Sequence, residues 1–388
     1  MEHEIYLDNA ATTYVSGEVF SAMQPYFLAH YGNASSAHNL GREAEAAVYK
    51  ARQAVAALIN ASADEIFFTS GATESNNWFI KGAIERSAVK RVLVSRIEHP
   101  SIMETVEYLG RHGVEVEYIN VDEGGIISIP DLLSKLSKPT ALVSVMTANN
   151  EVGTVQYINT IGKICRDKGV LFHTDATQAV DSITLDVKTM NIDGLSMSGH
   201  KIYGPKGVGA LYIKKGTQVE TFMHGGHQER GKRAGTTDVP CIVGFGKAAE
   251  ITMRDMSINN ARIRMLRDYL IREIEGRIPA VKLNGHRTQR IVSNVNFSFQ
   301  GIEGESVLTL LDLDGICVST GSACNSGTLD HSYVLDSMGV SDEMINGSVR
   351  FSLGRNTTKE DLDFLIEKLV KIVGNLRKIS PIGIKGEL

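Results

Sequence analysis

Ser198-Gly-His-Lys-Ile-Tyr-Gly-Pro-Lys-Gly-Val-Gly209, followed at once by Ala210-Leu-Tyr-Ile213, is the stretch from which the rest of the chain can be read. The apolar segments Gly194 to Met197 and Val208 to Ile213 read as two strands, and Gly204, Pro205 and Gly207 turn the backbone sharply between them. That arrangement puts Lys201 just past a strand end among small residues. A lysine held there loses hydration, its amine becomes less basic, and it can condense with an aldehyde. The same residues also suit a solvated lysine beside a Gly-Pro turn, so the flanking chain has to decide.

Outward from this stretch, short apolar or β-branched runs alternate with amphipathic segments. Candidate strands are Ile66 to Thr69, Arg91 to Ser95, Val114 to Ile119, Ala141 to Met146 and Val170 to His173, with a helical pattern over Arg42 to Ile59. The rhythm predicts an α/β fold: a mainly parallel sheet flanked by helices. From about Val239 it changes to a helix over Gly244 to Ile274, strands over Ile291 to Phe299 and Ile316 to Ser319, a strand Val349 to Leu353, and a final helix. Asp361 stands at capping-box distance from Thr358 at the start of that helix. The predicted organisation is a large domain over 14–255 and a smaller α/β domain built from 1–13 and 256–388.

At 388 residues the chain is too long for one compact core. A formal net charge of -5 argues against a nucleic-acid surface. The four cysteines contain no CxxC pair, so no zinc knuckle or redox dithiol is signalled and a reducing compartment is expected. The first residues carry two acids and no long apolar run, and no later run reaches membrane-spanning length, so the protein is read as cytoplasmic, with no membrane partner.

Three further constellations bear on Lys201. Thr69-Ser-Gly-Ala-Thr-Glu-Ser-Asn76 follows a strand and opens a helix, so its backbone N–H groups and hydroxyls, Thr73 among them, are placed to hold a phosphate, or to be capped without one. Phe172-His-Thr-Asp-Ala-Thr-Gln178 ends a strand with Asp175, either an N-cap or a carboxylate aimed at a ring nitrogen. Ile97-Glu-His-Pro-Ser101 sets His99 past another strand, as a structural histidine or as one that stacks on a flat ligand and shuttles protons. Together they ask for an aldehyde, a protonated ring nitrogen, a phosphate and a ring face. Pyridoxal 5'-phosphate has all four.

A last site lies in Val318-Ser-Thr-Gly-Ser-Ala-Cys-Asn-Ser-Gly327, where the Cys324 thiol sits on a small polar loop suited to movement and reaction. Cys317 reads as buried and inert, and Cys165 and Cys241 as structural. Arg350, on a predicted strand, can fork onto a carboxylate.

These residues resemble the cysteine desulfurases of the NifS and IscS kind, class-V aminotransferases with the fold-type I architecture of pyridoxal phosphate enzymes. The matching motifs run collinearly through nearly the whole chain: Tyr6 to Thr13, Tyr31 to His38, Thr69 to Asn77, Glu98 to Ser101, Asn149 to Thr154, His173 to Gln178, Ser198 to Tyr212, Gly226 to Arg230, Arg233 to Thr236 and Gly321 to Ser326. The Gly-Ser-Ala-Cys loop is similar to the form with a long mobile cysteine loop. Ala34 and His227 depart from the common pattern and touch no catalytic role.

The resemblance implies Lys201 as the Schiff-base lysine, His99 stacked on the pyridine ring, Asp175 on its nitrogen and Gln178 on its phenolic oxygen. It implies Ala72, Thr73, Ser198 and His200 at the phosphate, joined by Thr236 from the partner subunit of a homodimer with shared active sites. Asn150 and Arg350 would grip the carboxylate of an L-cysteine substrate, and Cys324 would take its sulfur as a persulfide for an iron–sulfur scaffold or other sulfur-acceptor protein. No permanent metal site is expected, with transient ligation of an iron–sulfur cluster by Cys324 left open. A different lyase or transaminase on the same fold would share the cofactor site without needing Cys324, and a sulfur-relay scaffold would use the cysteines as ligands.

Overall fold

The computed structural model describes residues 4–320 and 331–380. In chain order its strands are β1 (Ile5–Tyr6), β2 (Ile66–Thr69), β3 (Arg91–Ser95), β4 (Glu115–Ile119), β5 (Leu142–Ser144), β6 (Leu171–Asp175), β7 (Gly194–Ser198), β8 (Gly209–Ile213), β9 (Val281–Leu283), β10 (Asn294–Phe299), β11 (Ile316–Cys317) and β12 (Ser348–Ser352).

Seven of them form one sheet in the order β2-β8-β7-β6-β5-β3-β4. Helical crossovers connect β3 to β4, β4 to β5 and β5 to β6, and a long run of turns connects β6 to β7, so these strands all lie parallel, since a parallel return needs a long connection. β8 alone is reversed, antiparallel to both β7 and β2. The turn around Lys201 is too short for a crossover, so the chain comes straight back.

Strands β3 and β5 to β8 are buried along nearly their whole length because both faces of the sheet are covered, and the polar His173, Thr174, Ser196 and Ser198 are buried with them. The two-residue period sorts them. Phe68, Leu93, Val143, Ala210 and Tyr212 enter one apolar cluster, while Phe67, Val92, Val94, Leu142 and Leu211 enter the other. The first cluster also takes Val48 and Val55 from the helix Asn39–Leu58 and Val239 to Ile251 from the long helix Val239–Arg277.

That long helix starts five residues earlier than its sequence pattern predicts. Pro240 sits in its first turn, where a missing N–H costs nothing, and the Asp238 side chain accepts the Cys241 N–H at 3.1 Å. Its far half, Ile263 to Ile274, belongs to a separate cluster containing Ile5, Leu7, Phe297, Phe299, Val349, Phe351 and the buried face of the helix Lys359–Ile379. There β10 pairs antiparallel with β12 and β9, and β1 lies parallel to β11. The closing helix begins with the expected reciprocal cap: Thr358 Oγ1 accepts the Asp361 N–H at 3.1 Å and Asp361 Oδ2 accepts the Thr358 N–H at 2.9 Å.

One expectation needs correcting. Cys317 is only half-buried, because β11 is a two-residue strand paired on one side, and its Sγ lies 3.4 Å from Glu4 Oε1. Burial still pushes its thiol up to about 11, which keeps it a poor nucleophile. The Gly321 to Ser326 motif, with Cys324, lies outside the described residues.

Gly209 marks where the sheet is tightest. A Cβ there would meet Gly71 Cα at 2.6 Å and Met197 O at 2.7 Å, so only glycine lets β8 close against the turn after β2. Gly209→Ala is therefore expected to cost about 1–3 kcal/mol in urea unfolding. An unchanged midpoint would contradict this close approach.

Candidate active site

With β2, β3, β5, β6 and β7 all pointing one way, the residues just past their carboxyl ends meet on a single edge of the sheet. There they line a cavity of about 560 Å³, within the range of roughly 300–1,000 Å³ usual for small-molecule sites. Nine of the expected residues share it: Ala72, Thr73, His99, Asn150, Asp175, Gln178, Ser198, His200 and Lys201. Thr236 is exposed elsewhere, and Arg350 lies behind the cavity wall.

Lys201 follows β7 in a short 3-10 turn and is half-buried. Its Nζ donates to the backbone carbonyls of Ala10 at 2.5 Å and Ala11 at 2.7 Å, so the N-terminal segment forms part of the floor. Gln178 Nε2 donates to the same Ala10 carbonyl at 2.9 Å.

Asp175 ends β6 and is buried. Its Oδ1 accepts the Thr177 N–H at 2.9 Å and its Oδ2 accepts Asn76 Nδ2 at 2.7 Å. Each oxygen keeps a further lone pair for a ligand.

His99 is the N-cap of the helix Pro100–Arg111. Pro100 has no N–H, so the first free donor of that helix is the Ser101 N–H, which His99 Nδ1 accepts at 3.1 Å. Burial, reinforced by Lys201 and opposed by Asp175, holds the imidazole below its ordinary basicity. His200 is pushed down to about 4, first by burial and then by Lys201 and Lys206, and its Nδ1 lies 3.0 Å from Thr12 Oγ1.

At the other wall the helix Ala72–Arg86 starts at Gly71 with no side-chain cap, so its first N–H groups open toward the cavity beside Ser198 and His200. An uncapped helix start with a positive dipole end suits an anion. Glu74 in that first turn would oppose one, but Arg233 pairs with it at 2.9 Å.

Arg350 is 2% exposed. Its Nη2 bonds Asp8 Oδ1 at 2.9 Å, its Nη1 donates to the Asn150 carbonyl at 3.0 Å, and its Nε has no partner among the described residues.

The sequence reading missed several neighbours. Asn76, Ser101 and Asp8 all sit inside motifs it quoted, but spacing alone does not say which polar residue faces the site. Glu98 and Glu151, each next to a cavity residue, are fully enclosed, and burial raises their carboxyls to about 8 and about 7. Ser95 Oγ and the Met146 N–H bond Glu98 Oε1, while Ser332 Oγ donates to Glu151 Oε2 at 2.6 Å.

The profile of class-V aminotransferases matches residues 5–365. The chain belongs to that family, among its cysteine desulfurases. It is 48% identical to the cysteine desulfurase IscS of Clostridium botulinum, over 98% of this chain and 97% of that one. A solved structure described as a NifS-like protein superposes with a TM-score of 0.90 at 36% identity, covering 96% of this chain and all of the other. A structure described as SspA in complex with cysteine superposes with a TM-score of 0.80 at 33% identity, covering 91% of this chain and all of the other.

The family's cofactor is pyridoxal 5'-phosphate, and the residues present fit it. The uncapped start of the helix Ala72–Arg86 offers donors to a phosphate, Asp175 presents a carboxylate with free lone pairs, and the Lys201 amine reaches the cavity.

Glu98 supplies a pH test. Below about pH 4.5 its carboxyl is protonated in both folded and unfolded chains; between 4.5 and about 8 the unfolded chain releases the proton and the folded one keeps it. Stability contributed by this group therefore falls as pH rises through that window. Glu98→Gln, which mimics the protonated form, is expected to match the wild type near pH 4.5 and to gain up to about 4 kcal/mol by pH 8 in denaturant titrations. A gain independent of pH would refute the neutral carboxyl.

Proposed function

We propose that this protein is a cysteine desulfurase that converts L-cysteine to L-alanine and passes the sulfur, as a persulfide on Cys324, to an acceptor for iron–sulfur cluster assembly or thiolation. The observation that carries this reading is the convergence of Lys201, Asp175, His99 and the uncapped helix start at Ala72 on one cavity. The relatives named above support the choice of cysteine among amino-acid substrates.

When bound, pyridoxal phosphate supplies an aldehyde for the substrate amine and a ring that draws charge away from the substrate Cα. The chain does the rest. Ala72, Thr73, Ser198 and His200 hold the phosphate, and Asp175 keeps a proton on the ring nitrogen through a charge-assisted hydrogen bond. Gln178, whose amide lines the cavity and donates to the Ala10 carbonyl, would hold the phenolic oxygen. Asn150 and Arg350 are assigned to the substrate carboxylate; Asn150 lines the cavity already, and Arg350 has to exchange Asp8 for the substrate and reach past the wall that encloses it. Lys201 Nζ takes the Cα proton.

Cys324 thiolate then attacks the substrate sulfur. An S–S bond forms as the Cβ–S bond breaks, and the electron pair left on carbon takes up a proton to give alanine. A reducing, cytoplasmic setting suits a free thiol in this role.

We assign Thr236 to the phosphate site of a second subunit, which makes the working form a homodimer. Phe20, Phe27, Leu28 and Tyr31, all more than half exposed on consecutive turns near the N-terminus, supply an apolar face for that contact.

Two substitutions test the assignment with the cofactor-loaded protein and L-cysteine, by following alanine, sulfide and protein-bound persulfide. Lys201→Ala should still take up cofactor and lose at least about a thousandfold in turnover. Cys324→Ala should keep cofactor and cysteine binding, seen in the visible absorbance, yet form no persulfide. Full sulfide release by Cys324→Ala would remove that thiol from the pathway.

A further inference from the structure

Between Asp175 and His99 lies a chain of hydrogen bonds whose direction is set at both ends. Asn76, wholly buried in the helix Ala72–Arg86, uses its one amide nitrogen twice: Nδ2 donates to Asp175 Oδ2 at 2.7 Å and to Ser101 Oγ at 2.9 Å. A carboxylate can only accept, so the amide cannot be turned over without placing its oxygen against Asp175. The orientation is kept although Asn76 Oδ1 is left buried with no partner, a cost that a purely structural asparagine would avoid by turning that oxygen to a donor.

Since Ser101 Oγ already accepts from Asn76, its own proton is free to go to His99 Nδ1, 2.8 Å away. The Ser101 backbone N–H points at the same nitrogen. A proton on Nδ1 would strip the helix start of its acceptor and set donor against donor. His99 Nε2, by contrast, makes no hydrogen bond among the described residues, and the ring lines the cavity. The charged groups facing the ring are Asp175, from β6, which favours the imidazolium, and Lys201, from the turn after β7, which opposes it.

We propose that Asn76 and Ser101 are positioning residues that lock His99 into one neutral tautomer, with Nδ1 accepting and Nε2–H presented to the cavity. His99 then serves as a fixed hydrogen-bond donor toward whatever electron-rich atom the cavity holds. It cannot take up a proton at Nε2, so proton uptake falls to other groups, Lys201 first. The lock itself does not depend on the proposed substrate; only what the donor acts upon rests on that reading.

The test uses the full chain labelled with 15N in histidine, with and without pyridoxal phosphate, the His99 signals being identified by their loss in His99→Gln. The expected result is a single Nε2–H tautomer that persists on acidification below the ordinary imidazole midpoint of about 6.5. An Nδ1–H tautomer in the wild type, or protonation at or above that ordinary midpoint, overturns the proposal. In Asn76→Leu, which has the bulk without the donors, both tautomers should appear and turnover of L-cysteine should fall about tenfold. A lower melting temperature with the tautomer unmixed would mean that Asn76 is structural only, and would overturn its part. Should that variant not fold, or should L-cysteine prove not to be the substrate, the wild-type signals decide the lock by themselves.

Discussion

The structure depends on strand direction. Because β2, β3, β5, β6 and β7 run the same way, every segment that leaves the sheet at its carboxyl edge must turn there, and the turns bring Thr73, His99, Asn150, Asp175 and Lys201 within one cavity. The single reversed strand, β8, tightens that edge. It returns between β7 and β2 and presses Gly209 against Gly71, at the point where the helix Ala72–Arg86 opens its uncapped N–H groups. The anion cradle and the lysine are thus parts of one local packing problem, solved by two glycines.

Burial around the cavity works by neutralising side chains. His99 and His200 are held below ordinary imidazole basicity, and Glu98 and Glu151 are made less acidic than ordinary carboxyls, each chiefly because an ion would lose its hydration. Neutral groups of this kind form directional hydrogen bonds without adding field to the cavity. Around its rim several charges are paired: Arg233 with Glu74 at the helix start, Arg350 with Asp8 behind the wall, and Arg52 with Glu229 at 2.6 Å beneath the turn that leads to Arg233. The Arg233 and Arg52 pairs tie the 226–236 loop to the helices Ala72–Arg86 and Asn39–Leu58, and the Arg350 pair ties the N-terminal segment, whose Ala10 and Ala11 carbonyls accept from Lys201, to β12.

Much of this was legible in the chain. The alternation of apolar runs with amphipathic segments marks β2 to β8 to within a residue or two for most strands, since strands covered on both faces are mainly apolar. Asp175, His99 and Lys201 stand out because each follows such a run directly. The capping box at Thr358 and Asp361 is equally plain, as it needs only a spacing of three. Cys317 was misjudged because an apolar neighbourhood in sequence says nothing about whether a strand is paired on both sides. The long helix reaches back beyond its Gly244 to Ile274 pattern because Asp238 caps its first turn, a contact that periodicity does not show.

By itself, then, the sequence determined what depends on neighbours along the chain: which segments are strands, where each ends, and which reactive side chain stands at each end. Only the tertiary structure decided what depends on neighbours across it. The reversal of β8, the pairing of Arg350 with Asp8 342 positions away, and the amide of Asn76 bridging Asp175 and Ser101 all join segments far apart in sequence. A hydrogen bond's direction and a group's loss of hydration are properties of the packed surroundings, and those exist only once the chain has folded.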